Sequence, residues 1–277
     1  MRRLIARHMS LWMKLFLLSL VLVFVADLPP LLELVVPFAL IALAFVRPPA
    51  SDRDAEVVRA PVRGRWTALN SPATKVPSHG IKAYGQAYAI DILHPRPPDR
   101  PTHIGWGLGM RRPERFSSFG SPVLAVADGT VVSASGGQRD HRSRESWPAL
   151  AYMLTIEGAA REVGGPRFVL GNHVVVDHGD GVYAVYAHLR RRSLLVEPGD
   201  TVVAGQQLAE VGNTGNTTEP HLHVQLMDRP HVTEAAGVPF RWSDVEILDE
   251  VDRSFTKEPS TEVEEGLPAD GQVFSVS

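Results

Sequence analysis

His221 and His223 stand one residue apart in the run Glu219-Pro220-His221-Leu222-His223-Val224-Gln225-Leu226, with Arg229-Pro230 just beyond. An apolar run between prolines reads as a β-strand, where side chains alternate faces. The two imidazoles therefore point the same way, and Leu222 and Val224 point the other. On a strand their Cα atoms lie roughly 6.5–7 Å apart. At that spacing one imidazole can bind a metal ion while its neighbour reaches the ion's open coordination position. Two surface histidines give the same spacing by chance, so the pair alone leaves site and accident both open. The chain has no cysteine, which excludes disulfides and thiolate ligands and leaves His, Asp and Glu as the metal ligands available. With 28 basic against 31 acidic residues, it shows no electrostatic footprint for nucleic acid.

The elements that must position such a site are mostly strands. Tyr88-Ala-Ile-Asp91-Ile-Leu93 is a β-prone run with an acid inside it. The segment from Ser121 to Val132 reads as two strands around Asp128-Gly129. His173–Asp177 and Val182–His188 flank His178-Gly-Asp-Gly181, a hairpin signal. Gln206–Val211 follows the turn at Pro198-Gly199. Short strands punctuated by Gly and Pro predict a mostly β, compact antiparallel sandwich or barrel-like domain. One helical insert, about residues 135–167, interrupts it. There Ser146 can cap, Pro148 suits the first turn, and a helix of some 10–15 residues is expected beside the substrate groove.

Four segments together resemble the LytM/lysostaphin-type zinc metallopeptidases, peptidase family M23. They are Gly120–Gly129, Gly171-Asn-His-Val-Val-Val-Asp-His-Gly-Asp-Gly181, Val185-Tyr-Ala-His-Leu189, and Gly199 through Leu226 with Val211-Gly-Asn-Thr-Gly215 and the His-Leu-His strand. The resemblance covers roughly residues 76–242. It implies a peptidase domain over about 66–245, a zinc ion (Zn2+) as cofactor, and peptidoglycan stem or cross-bridge peptides as substrate. It also implies a ligand set of an early histidine, an aspartate matching Asp91, and a late histidine matching His223. Two further histidines, matching His188 and His221, assist catalysis without binding the metal.

The early histidine departs from the commoner pattern, which puts Ala87 at its position. Family members resembling this chain in His-Gly followed by Tyr-Ala-x-Asp imply His79. His94 and His103 are rivals on spacing, although an odd offset from Asp91 turns His94 to the opposite face. No His-Glu-x-x-His helix supplies a glutamate base, so His221 is the candidate general base and His188 the candidate oxyanion stabiliser. His173, His178, His8, His141 and His231 read as packing or surface residues. Asn172 reads equally as a substrate contact or as a turn residue.

A different class of function is a catalytically silent relative acting as a wall-binding activator or scaffold. A third is a phosphocarrier like the glucose-specific IIA protein, against which Asp91 and the His-Leu-His strand argue. A protein activator is compatible with either M23-like reading.

Residues 1–47 are of another composition. Leu11–Ala26 and Leu31–Val46 are apolar runs separated by Asp27-Leu-Pro-Pro30, and each falls short of a hydrocarbon core of about 30 Å. They read as an N-terminal membrane segment of one or two helices, followed by a linker over 48–65. Arg2, Arg3 and Arg7 before the first run keep both ends of a hairpin on the cytoplasmic side. A wall substrate instead places the domain in the cell envelope. From 246 to 277 the acids Asp249, Glu250, Asp252, Glu258, Glu262, Glu264 and Glu265 predict a disordered tail.

Overall fold

The computed structural model describes residues 1–96, 105–106, 109–256 and 265–277. His103, Glu258, Glu262 and Glu264 lie outside the described residues. Helices α1 (Arg2–Arg7), α2 (Met9–Val25) and α3 (Pro30–Ala44) lead into strands β1 (Glu56–Val58), β2 (Gly64–Leu69), β3 (Ile90–Leu93), β4 (Pro122–Leu124) and β5 (Gly129–Ser135). The insert follows as α4 (Trp147–Tyr152), a π-helical turn (Met153–Glu157), α5 (Gly158–Gly164) and α6 (Pro166–Leu170). Strands β6 (Asn172–Asp177), β7 (Tyr183–Leu189), β8 (Thr201–Val202), β9 (Gln207–Glu210) and β10 (Leu222–Met227) come next. The chain closes with β11 (Gly237–Val238), β12 (Phe240–Trp242), β13 (Val245–Val251) and β14 (Gln272–Val276).

The central sheet runs β13-β14-β2-β3-β10-β7-β6-β5-β8, with β11 on β10, and its pairs are antiparallel. Alternation sends Ile90 and Ile92 of β3, Val174 and Val176 of β6, Ala184 and Tyr186 of β7, and Leu222, Val224 and Leu226 of β10 to one face. That face packs on the two-stranded pairs β4–β9 and β1–β12, through Val123, Leu208, Phe240 and Trp242, as a sandwich. The opposite face is where Asp91, His223 and Gln225 emerge. Farther along it, Val175, Val185, Ala187 and Met227 form a second apolar cluster with Tyr84, Leu170, Val232 and Met9.

The insert is longer than expected: helical backbone runs from Trp147 to Gly164, and Ser146 Oγ caps it by accepting from the Ala149 N–H at 3.4 Å. Arg144 and Arg161 both pair with Glu157, which holds the carboxyl below its usual range against the opposing effect of burial.

Three expectations need correction. The stretch over 48–65 is not a plain linker, because β1 pairs in parallel with β12 and Ala60 and Val62 sit in the core; apolar residues spaced among the charges supply that packing. The acidic tail is not disordered through its described part. β14 lies between β13 and β2, with Phe274 and Val273 fully buried, so the charged composition conceals a core strand. The N-terminal runs do form two helices, but no helix among the described residues is long and apolar enough to cross a membrane.

Candidate metal centre

Register builds the centre of the site. β10 lies between β3 and β7, and its pairing sets His223 opposite Asp91 on one side and Ala187 on the other. Asp91 Oδ1 is 2.9 Å from His223 Nδ1 and 3.6 Å from His221 Nε2. His79 comes from the loop between β2 and β3 and places Nε2 3.1 Å from Asp91 Oδ2. One donor atom from each of His79, Asp91 and His223 lies within 4.8 Å of the others. His94 faces away: its ring stacks edge-on against Trp66 at 4.2 Å, and its backbone N–H donates to Ser118 Oγ.

His188 reaches the site by an irregularity. Strict alternation along β7 would carry it to the sandwich face with Ala184 and Tyr186. Between the pairs Asn172–Leu189 and Val174–Tyr186 the register shifts, and His188 takes φ +63°. This bulge turns His188 to the site face and sends Leu189 into the sandwich core. Its ring centroid then lies 4.9 Å from His221 and 5.7 Å from His223.

The hydrogen bonds around the rings select which nitrogen is free. His188 donates its Nδ1–H to the Thr214 carbonyl at 2.8 Å, and His221 donates its Nδ1–H to the Glu219 carbonyl at 2.8 Å. Both therefore present an Nε2 lone pair to the site. Thr214 is held by a tight backbone approach: Gly215 has φ +79°, and a Cβ there would stand 2.5 Å from Gly171 N and Val169 O. His79 Nδ1 is 3.0 Å from Ser78 Oγ, which itself donates to the Gln86 carbonyl. Ser78 thus accepts from Nδ1–H and leaves Nε2 of His79 to a metal.

Gln225 does the same for His223. Its Nε2 donates to the Tyr84 carbonyl at 2.7 Å, which fixes the amide's orientation and turns Oε1 toward His223 Nε2 at 3.0 Å. Asn70, at φ +48°, donates to Asp91 Oδ2 at 2.8 Å. Partners of this kind orient metal ligands and fix their tautomers. Two imidazoles and one carboxylate, each with its second polar atom already engaged, fit a divalent ion of zinc's preference and leave a fourth position open.

The electrostatics agree. Burial pushes Asp91 up, but His79 and His221 beside it and hydrogen bonds from His223 and His79 hold the carboxyl well below its usual range. Burial pushes His223 down, yet its hydrogen bond and charge contact with Asp91, and then Gln225, raise it overall. A proton shared between Nδ1 and Asp91 is what a cation would displace. Burial dominates at His188, where His221 and His223 beside it add to the fall well below the ordinary imidazole value, and at His221, where Asp91 is the first influence to oppose it.

Other polar residues lie outside the centre. Asn172 is fully buried and spends its amide on Gln138 and the Leu189 carbonyl, so it braces loops and does not face substrate. His141 is half-buried, bonded to the Gly215 and Arg142 carbonyls, and steadies the loop after Val211. His173 and His178 bond backbone carbonyls away from the centre. The beginning of the insert borders the site through Asp140–Asn213 and Arg144–Thr218 contacts.

Comparison with known proteins meets this geometry. Residues 155–234 match the family model "Peptidase family M23". An uncharacterised metalloprotease of Haemophilus influenzae is 34% identical over 122 residues, 43% of this chain and 19% of that protein. Peptidoglycan DD-endopeptidase ShyC of Vibrio cholerae is 40% identical over 117 residues, 42% of this chain and 20% of its own length. A crystal structure of a zinc-containing peptidase from Vibrio cholerae aligns over 70% of this chain and 40% of that one, with 21% identity and a TM-score of 0.32. The chain spans about a fifth of the length of these two sequence relatives. The His79, Asp91 and His223 group is compatible with a metal site. Over residues 155–234 the chain is similar to peptidase family M23.

Proposed function

We propose that this domain is a zinc-dependent endopeptidase that hydrolyses peptide bonds in peptidoglycan stem or cross-bridge peptides. The observation that carries this reading is the pair His188 and His221. Both direct an unprotonated Nε2 into the space shared by the three metal donors. A metal kept only for folding needs neither residue and closes its fourth position with protein.

His79, Asp91 and His223 would hold the metal, and zinc bound there lowers the pKa of a water and polarises the scissile carbonyl. His221 takes the proton of the attacking water at Nε2, while its Nδ1–H remains tied to the Glu219 carbonyl. Its lowered pKa keeps it neutral, and so able to accept that proton, at neutral pH. His188 in its neutral form has no Nε2–H to offer, because its proton is committed to Thr214. It serves a developing oxyanion once the water's proton, taken first by His221 Nε2, has passed to its own Nε2, the two ring centroids lying 4.9 Å apart. Asn70, Ser78 and Gln225 hold the rings and carboxylate in register. The substrate places the domain outside the cytoplasm, facing the cell wall.

The test is zinc content of the purified chain followed by muropeptide release from sacculi. The expected result is one zinc per chain and release that a chelator abolishes. A chain that binds no zinc and releases nothing is a silent wall-binding scaffold instead.

A further inference from the structure

The N-terminal helices are tied to the catalytic domain at their first residues. Arg3 grips Asp228 through two hydrogen bonds of 3.0 and 2.6 Å and donates to the Glu234 carbonyl at 2.7 Å. Arg7 reaches Glu234 at 3.9 Å, and Thr233 Oγ1 donates to the Arg7 carbonyl. Met9 is buried in the second apolar cluster with Leu170, Met227 and Val232. From this anchor α2 and α3 pack side by side as a hairpin. At its turn Phe24, Val25 and Leu31 are 88, 73 and 70% exposed, and Leu18, Val21, Leu34 and Phe38 are exposed along its length. Between Met9 and Ala44 the only charged side chains are Lys14, Asp27 and Glu33. The other end is basic: Arg2 and Arg7 on α1 are exposed, and Arg47 follows α3.

We propose that the α2–α3 hairpin inserts into an anionic phospholipid bilayer from the side on which the peptidase domain sits, without crossing it. The partner is read from charge complementarity and apolarity together. A basic base meets anionic headgroups, and a hairpin apolar on its exposed surface meets hydrocarbon. The direction follows from the docking. The residues before α2 and the domain after α3 touch each other, so they share one side, and a single span dividing them is excluded. The depth follows from length. Seventeen residues in α2 reach about 25 Å at 1.5 Å per residue, short of a hydrocarbon core of about 30 Å. Asp27 and Glu33 near the turn also limit the depth.

The absence of native cysteine gives a clean test by single substitutions in the full chain. Phe24→Cys reports on the tip, Leu4→Cys on α1 and Glu197→Cys on the domain. Each variant is diluted from detergent onto preformed vesicles of phosphatidylethanolamine and phosphatidylglycerol, floated, and labelled with an impermeant maleimide. The expected result is co-flotation, with Leu4→Cys and Glu197→Cys labelled from outside. Phe24→Cys is expected to react about tenfold or more slowly than without vesicles, because a thiol in hydrocarbon does not ionise. Labelling of Phe24→Cys by maleimide trapped inside the vesicles would show crossing and overturn the proposal. Failure to float overturns it as well. So does a Phe24→Cys already protected without lipid, which would show that a second copy covers the hairpin.

Discussion

Replacing Gln225 by leucine should weaken zinc binding without unfolding the domain. Gln225 is fully buried on β10, two residues beyond His223 and on the same face. Its carbonyl oxygen accepts from His223 Nε2–H at 3.0 Å because its amide nitrogen is already committed to Tyr84. That bond keeps the proton on Nε2 and the lone pair on Nδ1, the nitrogen that faces Asp91. Without it the neutral imidazole populates the other tautomer, and the ring loses the partner that sets its rotation. Loss of such an orienting partner typically costs 10–100-fold in metal affinity, or about 1.4–2.8 kcal/mol. Leucine also leaves the Tyr84 carbonyl unpaired, a stability cost of about 1–3 kcal/mol that circular dichroism and denaturant titration would register separately. Gln225→Glu keeps an acceptor for Nε2–H and should lose less zinc affinity than Gln225→Leu. The assay is competition for zinc against a chromophoric chelator. Nitrogen-15 NMR of the zinc-loaded protein should show His223 protonated at Nε2. A folded Gln225→Leu protein that binds zinc within about twofold of the parent would refute the reasoning, given the expected 10–100-fold loss.

The remaining predictions concern the division of labour, pH and the core. His221→Ala should retain zinc and lose about 10²–10⁴-fold in muropeptide release, whereas His223→Ala and Asp91→Ala should lose the metal; metal analysis after dialysis separates them. Zinc affinity should fall on acidification. Asp91 holds the pKa of His223 above the ordinary 6.5, so below that raised value a proton competes for Nδ1 and each further pH unit costs about tenfold; a pH-independent affinity between 5 and 7 would contradict this. Phe274→Ala, in a strand buried between β13 and β2, should destabilise the domain by about 3–5 kcal/mol in denaturant titration; a change under about 1 kcal/mol would mean that the closing strand is dispensable.

Period-two alternation accounts for what could be read from the chain and for what could not. It put His221 and His223 on one face, set His94 apart from Asp91, and marked most of the strands that compose the sheet. Carried one step further along β10, the same rule puts Gln225 beside His223. A buried glutamine two residues beyond a histidine was therefore a visible signal, and only its polarity, in a run read for apolar residues, concealed it. His188 is the opposite case. Alternation assigns it to the core face with Tyr186, and nothing in Tyr186-Ala-His-Leu189 announces a residue at φ +63°. Only the resemblance to a family brought it to the site.

The composition-based readings failed for a related reason. Charge density predicted a disordered tail, yet Val273, Phe274 and Val276 need only one sheet edge to bury themselves, and β2 provides it. A strand of five residues contributes too little to shift the average of a tail of some thirty. The N-terminal arginines show the same limit in another form. Counted as flanking charges, they could set orientation in a membrane. In the fold Arg3 is used up by Asp228 and the Glu234 carbonyl, so it is a tertiary contact first. In the proposed hairpin, the first residues of the chain share a side with the domain because Arg3 and Met9 dock against it.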